Sequence, residues 1–248
     1  MIRAVAIIPA RLGSTRLPNK PLLAETGRPL IIHVLNAVGR SRRINDAIVA
    51  TDSQAIIDVV TAAGGRAILT RSDHQTGSDR IGEALGAVKA DVIVNVQGDE
   101  PEIDPNLIDS LVDCLANRPE LDVATAAAPI TDELRYLDPN VVKVVISSRN
   151  DALYFSRSPI PGHKNGDPSP LCRGNPPLQH VGIYAYRRAA LERFLTLPPS
   201  NLEASESLEQ LRLLEAGGRY GVVVIPHAHR GIDTPDDYAA FVARWGAT

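Results

Sequence analysis

The chain has 248 residues, 44% hydrophobic and 22% charged, with a net charge of −3. These are ordinary globular proportions. They exclude disordered and fibrous classes, and the length supports one large domain, alone or with an appended lobe, that needs no covalent staples. A pI near 6.1 gives no reason to expect nucleic acid as a partner, and no stretch approaches the roughly 18 uncharged apolar residues of a membrane span.

Val5–Ile8 opens the chain as a buried strand, because the apolar run is too short for a signal peptide; a cytoplasmic protein is expected. Further short apolar runs follow at Ala47–Ala50, Ala67–Leu69, Val92–Val96 and Val123–Ala126. All are apolar on both alternating faces, as strands covered by helices should be. Between them, Leu30, Ile31, Val34, Leu35 and Val38 recur at helical spacing, as do Ile56, Val59 and Val60. Leu107, Ile108, Leu111, Val112 and Leu115 do the same behind the start signal Asp104-Pro105. This alternation predicts an α/β fold with a mostly parallel central sheet flanked by helices.

The second half changes rhythm. Val141–Ile146, Gln179–Tyr186 and Tyr220–Ile225 read as strands, separated by Ser158–Pro177, whose six prolines and three glycines predict a long irregular excursion. The expectation is a single domain over 1–248 with a smaller β-rich lobe at about 130–200. Cys114 and Cys172 match no metal or redox spacing and read as unrelated free thiols.

In open α/β sheets, ligands gather at the carboxyl ends of the strands. After the first strand comes A-R-L-G-S-T-R-L-P-N-K, which places Arg11, Arg16 and Lys20 in a loop without acids. It matches neither the P-loop nor the dinucleotide fingerprint. Its residue types suit a phosphate cradle: two guanidinium forks, an ammonium, the Ser14 and Thr15 donors, and Gly13 for close approach. A basic surface loop is the plainer alternative. At the fourth strand's end, V-N-V-Q-G-D-E-P exposes Gln97, Gly98, Asp99 and Glu100, where a carboxylate is a natural ligand for Mg²⁺ on substrate phosphates and D-E is also a common turn. Downstream, in G-I-D-T-P-D-D, Thr234 reads as a helix cap, Pro235 as the first helical residue, and Asp236 and Asp237 as dipole partners. Capping does not require Asp233.

Other polar clusters also follow strands. They are A-T-D at Ala50–Asp52 and T-R-S-D-H-Q-T-G-S-D-R at Thr70–Arg80, where a cap at Ser78-Asp79 explains part of the pattern and His74 reads as a surface histidine. His180 and Tyr184 share one strand face. Glu206, Glu209, Gln210 and Arg212 read as the solvated side of a helix whose core stripe is Leu208, Leu211 and Leu214.

Together with N-V-V-K-V-V, A-L-Y-F-S-R-S-P-I-P, H-V-G-I-Y-A-Y-R and L-E-Q-L-R-L-L, these segments closely resemble the 3-deoxy-manno-octulosonate cytidylyltransferases, in order from about residue 3 to 240. The least typical stretch is Gly162–Pro177. The resemblance implies the nucleotide-diphospho-sugar transferase fold with a β-rich dimerisation lobe. It also implies a homodimer and a Mg²⁺-dependent transfer of CMP from CTP to 3-deoxy-manno-octulosonate (Kdo), for lipopolysaccharide core synthesis. Arg11, Ser14, Thr15, Arg16 and Lys20 would hold the triphosphate, and Arg71, Ser72, Ser78 and Gln97 would contact the rest of the nucleotide. Asp99 and Asp233 would be metal ligands and, with Lys20, the catalytic set. Gln97, Arg157, His180, Tyr184, Glu209 and Gln210 would surround the sugar acid, with Arg157 and His180 neutralising its carboxylate. A cytidylyltransferase for a nine-carbon sugar acid would share the phosphate loop, and a non-catalytic nucleotide binder is a third reading.

Overall fold

The computed structural model describes residues 2–13, 16–74, 76–162, 176–228 and 231–246. In chain order the elements are β1 (Ala4–Ala10), a 3₁₀ turn (Lys20–Leu22), α1 (Leu30–Val38), β2 (Ile44–Thr51), α2 (Gln54–Ala62), β3 (Arg66–Leu69), α3 (Gly77–Leu85) and β4 (Val92–Asn95). Then come α4 (Pro105–Asn117), β5 (Val123–Pro129), α5 (Glu133–Leu137), β6 (Lys143–Ile146), β7 (Ala152–Ser156) and β8 (Leu178–Arg187). The chain continues with α6 (Arg188–Thr196), α7 (Asn201–Glu206), α8 (Gln210–Glu215), β9 (Tyr220–Val224) and α9 (Pro235–Trp245). It forms two compact units, Met1–Val112 with His229–Thr248, and Asp113–Ala228.

In the first unit β1 pairs in parallel with both β2 and β4, and β2 with β3, giving the order β3-β2-β1-β4. The chain steps from β1 to β2 to β3 in one direction, then returns to lay β4 on the other side of β1. That reversal makes the carboxyl ends of β1 and β4 a topological switch point. Ala4 to Ile8 and Val92 to Val94 are almost fully buried because helices cover the sheet. β3 differs from expectation: Leu69 is 59% exposed on this end strand, whose one pairing partner among the described residues is β2.

The start of α9 is as the residues dictate. The Thr234 hydroxyl accepts from the Asp237 amide at 3.2 Å, and the Asp237 carboxylate accepts from the Thr234 amide at 2.9 Å, with Pro235 at the first helical position. Tyr238 and Phe241 then bury against Leu17, Leu30 and Ile232, each apolar side chain worth roughly 1.5–3 kcal/mol. Beneath the helix lies His33 of α1, 2% exposed, edge-on to Trp245 at 4.2 Å and Phe241 at 5.2 Å. Burial, and after it the charge of Arg28, lowers its pKa. The unfolded chain therefore takes up a proton near pH 6.5 that the folded one resists, so stability is full above that value and declines on acidification below it. His33→Phe keeps the ring packing and removes the titration. Urea midpoints at pH 7.5 and 5.5 should differ less in this variant than in the wild type.

In the second unit β5 is antiparallel to β8 and parallel to β9, and β6 is antiparallel to β7 and β8. Among the described residues, every strand pairing within the first unit is thus parallel, whereas in the second only that of β5 with β9 is. The expected helix carrying Glu206 to Arg212 is two short ones, since Ser207 takes a left-handed conformation (φ 51°) that ends α7. The break shifts the buried stripe to Leu208, Leu211 and Leu213, not Leu214. Lys143, in the run N-V-V-K-V-V, is fully buried, and its ammonium donates to the carbonyls of Asp138 (3.0 Å), Val141 (2.7 Å) and Arg157 (2.6 Å). Desolvation lowers its pKa. Lys143→Met relieves that desolvation but removes the donor of three partly buried carbonyls, so a net loss of roughly 1–3 kcal/mol is expected in urea unfolding.

Candidate active site

A cleft of about 380 Å³ opens at the switch point, entirely within the first unit. Pro9 and Ala10 at the end of β1 and Gln97, Gly98 and Asp99 after β4 form its floor. Gly98 is dictated by close approach: a Cβ there would stand 2.7 Å from the Pro9 carbonyl oxygen. Gly98→Ala must push the two loops apart. A stability loss of roughly 1–3 kcal/mol is expected, with a larger proportional loss of turnover than of folded protein, measured on the soluble fraction.

Arg11, Gly13, Arg16 and Lys20 line the opposite rim. Asn19, left-handed at φ 55°, turns the loop into the 3₁₀ segment that carries Lys20 inward to 13% side-chain exposure. The Lys20 ammonium donates to Asp99 Oδ2 at 2.8 Å, to the Ile232 carbonyl at 2.8 Å and to Asp233 Oδ1 at 3.3 Å. Arg16 adds an ion pair to Asp233 at 3.3 Å. Arg80 also lines the cleft but is paired with Asp52, so three cations, Arg11, Arg16 and Lys20, meet the two carboxylates Asp99 and Asp233, and the surplus charge favours an anion. Glu100 does not offset that surplus. It is buried, and desolvation followed by the neighbouring Asp99 pushes its pKa up to about 8, so D-E contributes one negative charge at neutral pH. Ser14 and Thr15 lie outside the described residues.

Asp99 and Asp233 come from loops 134 positions apart and converge on one cation, the Lys20 ammonium. Two hard-oxygen donors around a cation suit Mg²⁺, which takes one or two carboxylates and fills its octahedron with water and substrate phosphate. Among the described residues no group of three or more His, Cys, Asp and Glu gathers as a self-sufficient metal cage.

The third wall is the segment from β3 to α3. Its cleft-lining residues are His74, Thr76, Gly77 and Arg80, whereas Arg71, Ser72 and Ser78 do not line the cleft. The Arg71 guanidinium is paired with Asp73 and its amide donates to Glu83 at 2.9 Å. His74 is a partner of the same Glu83 rather than a free surface group. Arg80 and Asp52 were legible only as parts of polar clusters. Their partnership is a tertiary one.

In the second unit, His180 and Tyr184 share a face of β8 with ring centroids 5.4 Å apart, and His180 Nε2 lies 2.8 Å from the Thr125 hydroxyl. Desolvation drives the imidazole pKa down, so without a bound anion His180 is neutral at pH 7 and acts as a hydrogen-bonding group. Burial and the charge of Glu209 push the Tyr184 phenol up, keeping it a proton donor. Arg157 is committed to the backbone: its guanidinium donates to the carbonyls of Glu206 (2.7 Å), Pro139 (3.0 Å) and Ser207 (3.2 Å). Glu206, expected on a solvated face, instead accepts from the Ser156 hydroxyl at 2.6 Å and the Arg157 amide at 2.8 Å. Gln210 is buried, its carbonyl accepting from the Tyr220 hydroxyl at 3.0 Å. Of the excursion Ser158–Pro177, residues 163–175 lie outside those described.

Residues 5–222 match the family model described as cytidylyltransferase, so the chain with this cationic cleft and Lys–Asp–Asp cluster is a nucleotidyltransferase. A 3-deoxy-manno-octulosonate cytidylyltransferase of Chloroherpeton thalassium is 45% identical over 240 residues, 96% of each chain, and one of Escherichia coli is 44% identical over 95% of this chain and 93% of its own. The structure of CMP:2-keto-3-deoxy-manno-octonic acid synthetase complexed with CTP superposes with a TM-score of 0.92 at 42% identity, over 99% of both chains. A cytidylyltransferase of Leptospira borgpetersenii, at 17% identity and a TM-score of 0.66, shares the fold. The chain belongs to the cytidylyltransferase family, among the 3-deoxy-manno-octulosonate cytidylyltransferases.

Proposed function

We propose that the protein transfers CMP from CTP to Kdo, releasing pyrophosphate and giving CMP-Kdo, the activated sugar for lipopolysaccharide core synthesis. The observation that carries this is the cleft in which Lys20 joins Asp99 and Asp233 beside Arg11 and Arg16, in a chain 44–49% identical to enzymes of that name.

A sugar hydroxyl oxygen attacks the α-phosphorus in line, the bond to the bridging oxygen breaks, and pyrophosphate leaves. Such a transition state asks mainly for positioning and charge neutralisation. Arg11 and Arg16 are forks that hold phosphate oxygens, and Lys20 places an ammonium against the charge that develops on them. Gln97, at the end of β4, orients groups by hydrogen bonding. Asp99 and Asp233 would hold Mg²⁺, which when bound acidifies the attacking hydroxyl and screens the phosphate charge. Tyr184, Glu209 and Gln210, with His180, are the proposed contacts of the sugar acid. Arg157 supports that set by fixing the start of the loop after α7. Magnesium dependence, a homodimer and a cytoplasmic location follow from the family resemblance and belong to the same proposal.

The test is a matrix of four ribonucleoside triphosphates against several sugar acids, read by pyrophosphate release with and without a chelator. A single maximum at CTP with Kdo, abolished by chelation, is expected. A maximum with a nine-carbon sugar acid would overturn the Kdo assignment, and pyrophosphate release from no pair would leave only nucleotide binding.

A further inference from the structure

Arg80 is the best-buried cation of the cleft, 3% exposed, on the first turn of α3. A capping box fixes where that helix starts: Thr76 Oγ1 accepts from the Asp79 amide at 3.1 Å, and Asp79 Oδ2 from the Thr76 amide at 3.2 Å. From one turn inside, the guanidinium reaches across two strand ends. Its Nη2 donates to Asp52 Oδ2 at 2.9 Å, just past β2, and its Nη1 to Thr70 Oγ1 at 2.5 Å and the Arg71 carbonyl at 3.4 Å, just past β3. One planar group therefore ties the ends of β2 and β3 to the start of α3.

A packing role alone does not account for this. Burying an ion pair costs desolvation that an apolar side chain of similar volume avoids. What the pair provides is direction, because a forked donor fixes its acceptors in angle as well as distance. Topology says what is being fixed. Asp99 follows β4 on one side of β1, and Asp52 and Thr70 follow β2 and β3 on the other. Thr76, Gly77 and Arg80 line the same cleft as Arg11, Arg16 and Lys20.

We propose that Arg80 is a positioning residue for nucleotide binding, acting through Asp52 and Thr70 to hold the turn after β3 and the capped start of α3 as one rigid wall of the cleft. The proposal rests on the CTP reading above. Chemistry at the α-phosphorus depends on loops that Arg80 does not touch, so its loss weakens nucleotide binding in ground and transition state alike.

Two variants test it. Thr70→Val removes one acceptor and keeps the ion pair, and Arg80→Lys keeps the charge and loses the fork. With CTP varied at saturating Kdo, KM for CTP should rise about tenfold in Thr70→Val and about a hundredfold in Arg80→Lys, with kcat within about threefold of wild type. Asp52→Asn combined with Arg80→Lys should be clearly less than additive in KM. Unchanged KM in both folded single variants, or a fall in kcat alone, overturns the assignment. Wild-type turnover is measured first in the same assay: if that is absent the CTP reading fails, and if it is present with unaltered variant KM, only the role of Arg80 fails.

Discussion

Replacing Asp99 by asparagine should lower kcat by about a thousandfold, equivalent to ~4 kcal/mol of transition-state stabilisation, with KM for CTP unchanged or lower. The split follows from charge. The cleft already carries more cations than carboxylates, and removing one negative charge favours a bound triphosphate in the ground state. What asparagine cannot supply is the anionic oxygen that, on the proposed mechanism, would hold a divalent cation. The fold should survive, because the backbone bond from the Ile232 amide to the Asp99 carbonyl (2.9 Å) is untouched and Lys20 keeps the Ile232 carbonyl and Asp233. Pyrophosphate release across a Mg²⁺ titration, with thermal unfolding as a control, is the measurement. Turnover near wild type at saturating Mg²⁺ would falsify the metal role of Asp99.

Lys20→Met should cost about a hundredfold to a thousandfold in kcat/KM, the range seen when one preorganised donor is lost from a transition state. A second effect separates Lys20 from an ordinary phosphate contact. Its ammonium lies between two carboxylates from distant parts of the chain, so the variant leaves Asp99 and Asp233 facing each other without their cation. The variant should therefore melt below wild type in chelator, and added Mg²⁺ should raise its melting temperature more than that of wild type. Equal Mg²⁺ shifts in the two proteins would mean that the carboxylates do not share a cation.

The parallel half of the fold was legible because each strand is a short β-branched run flanked by helical spacing, and the end of β4 was legible because V-N-V-Q-G-D-E turns polar at the point where a buried strand must emerge. Capping likewise announced α9. β7 escaped notice because its face is mixed: Leu153 is 60% exposed while Phe155 is buried, a pattern that A-L-Y-F-S does not declare by itself. The break at Ser207 was hidden for a related reason, since a left-handed serine carries no signal of the kind glycine gives. Arg157 shows the harder limit. Its residue type suits a substrate carboxylate, but what it does is set by three carbonyls brought to it by tertiary folding. The same holds for Arg80, whose partners lie 28 and 10 positions away.

The first unit is made of two stretches with the whole of the second between them, and Lys20 meets Asp233 across 213 positions of chain. During vectorial synthesis the phosphate loop and Asp99 emerge early, and the second unit must follow before the segment holding Ile232 and Asp233 leaves the ribosome. A nascent chain can thus display the strands and their cations without being able to complete the cleft. The cleft therefore closes only when the last stretch of the first unit joins the rest.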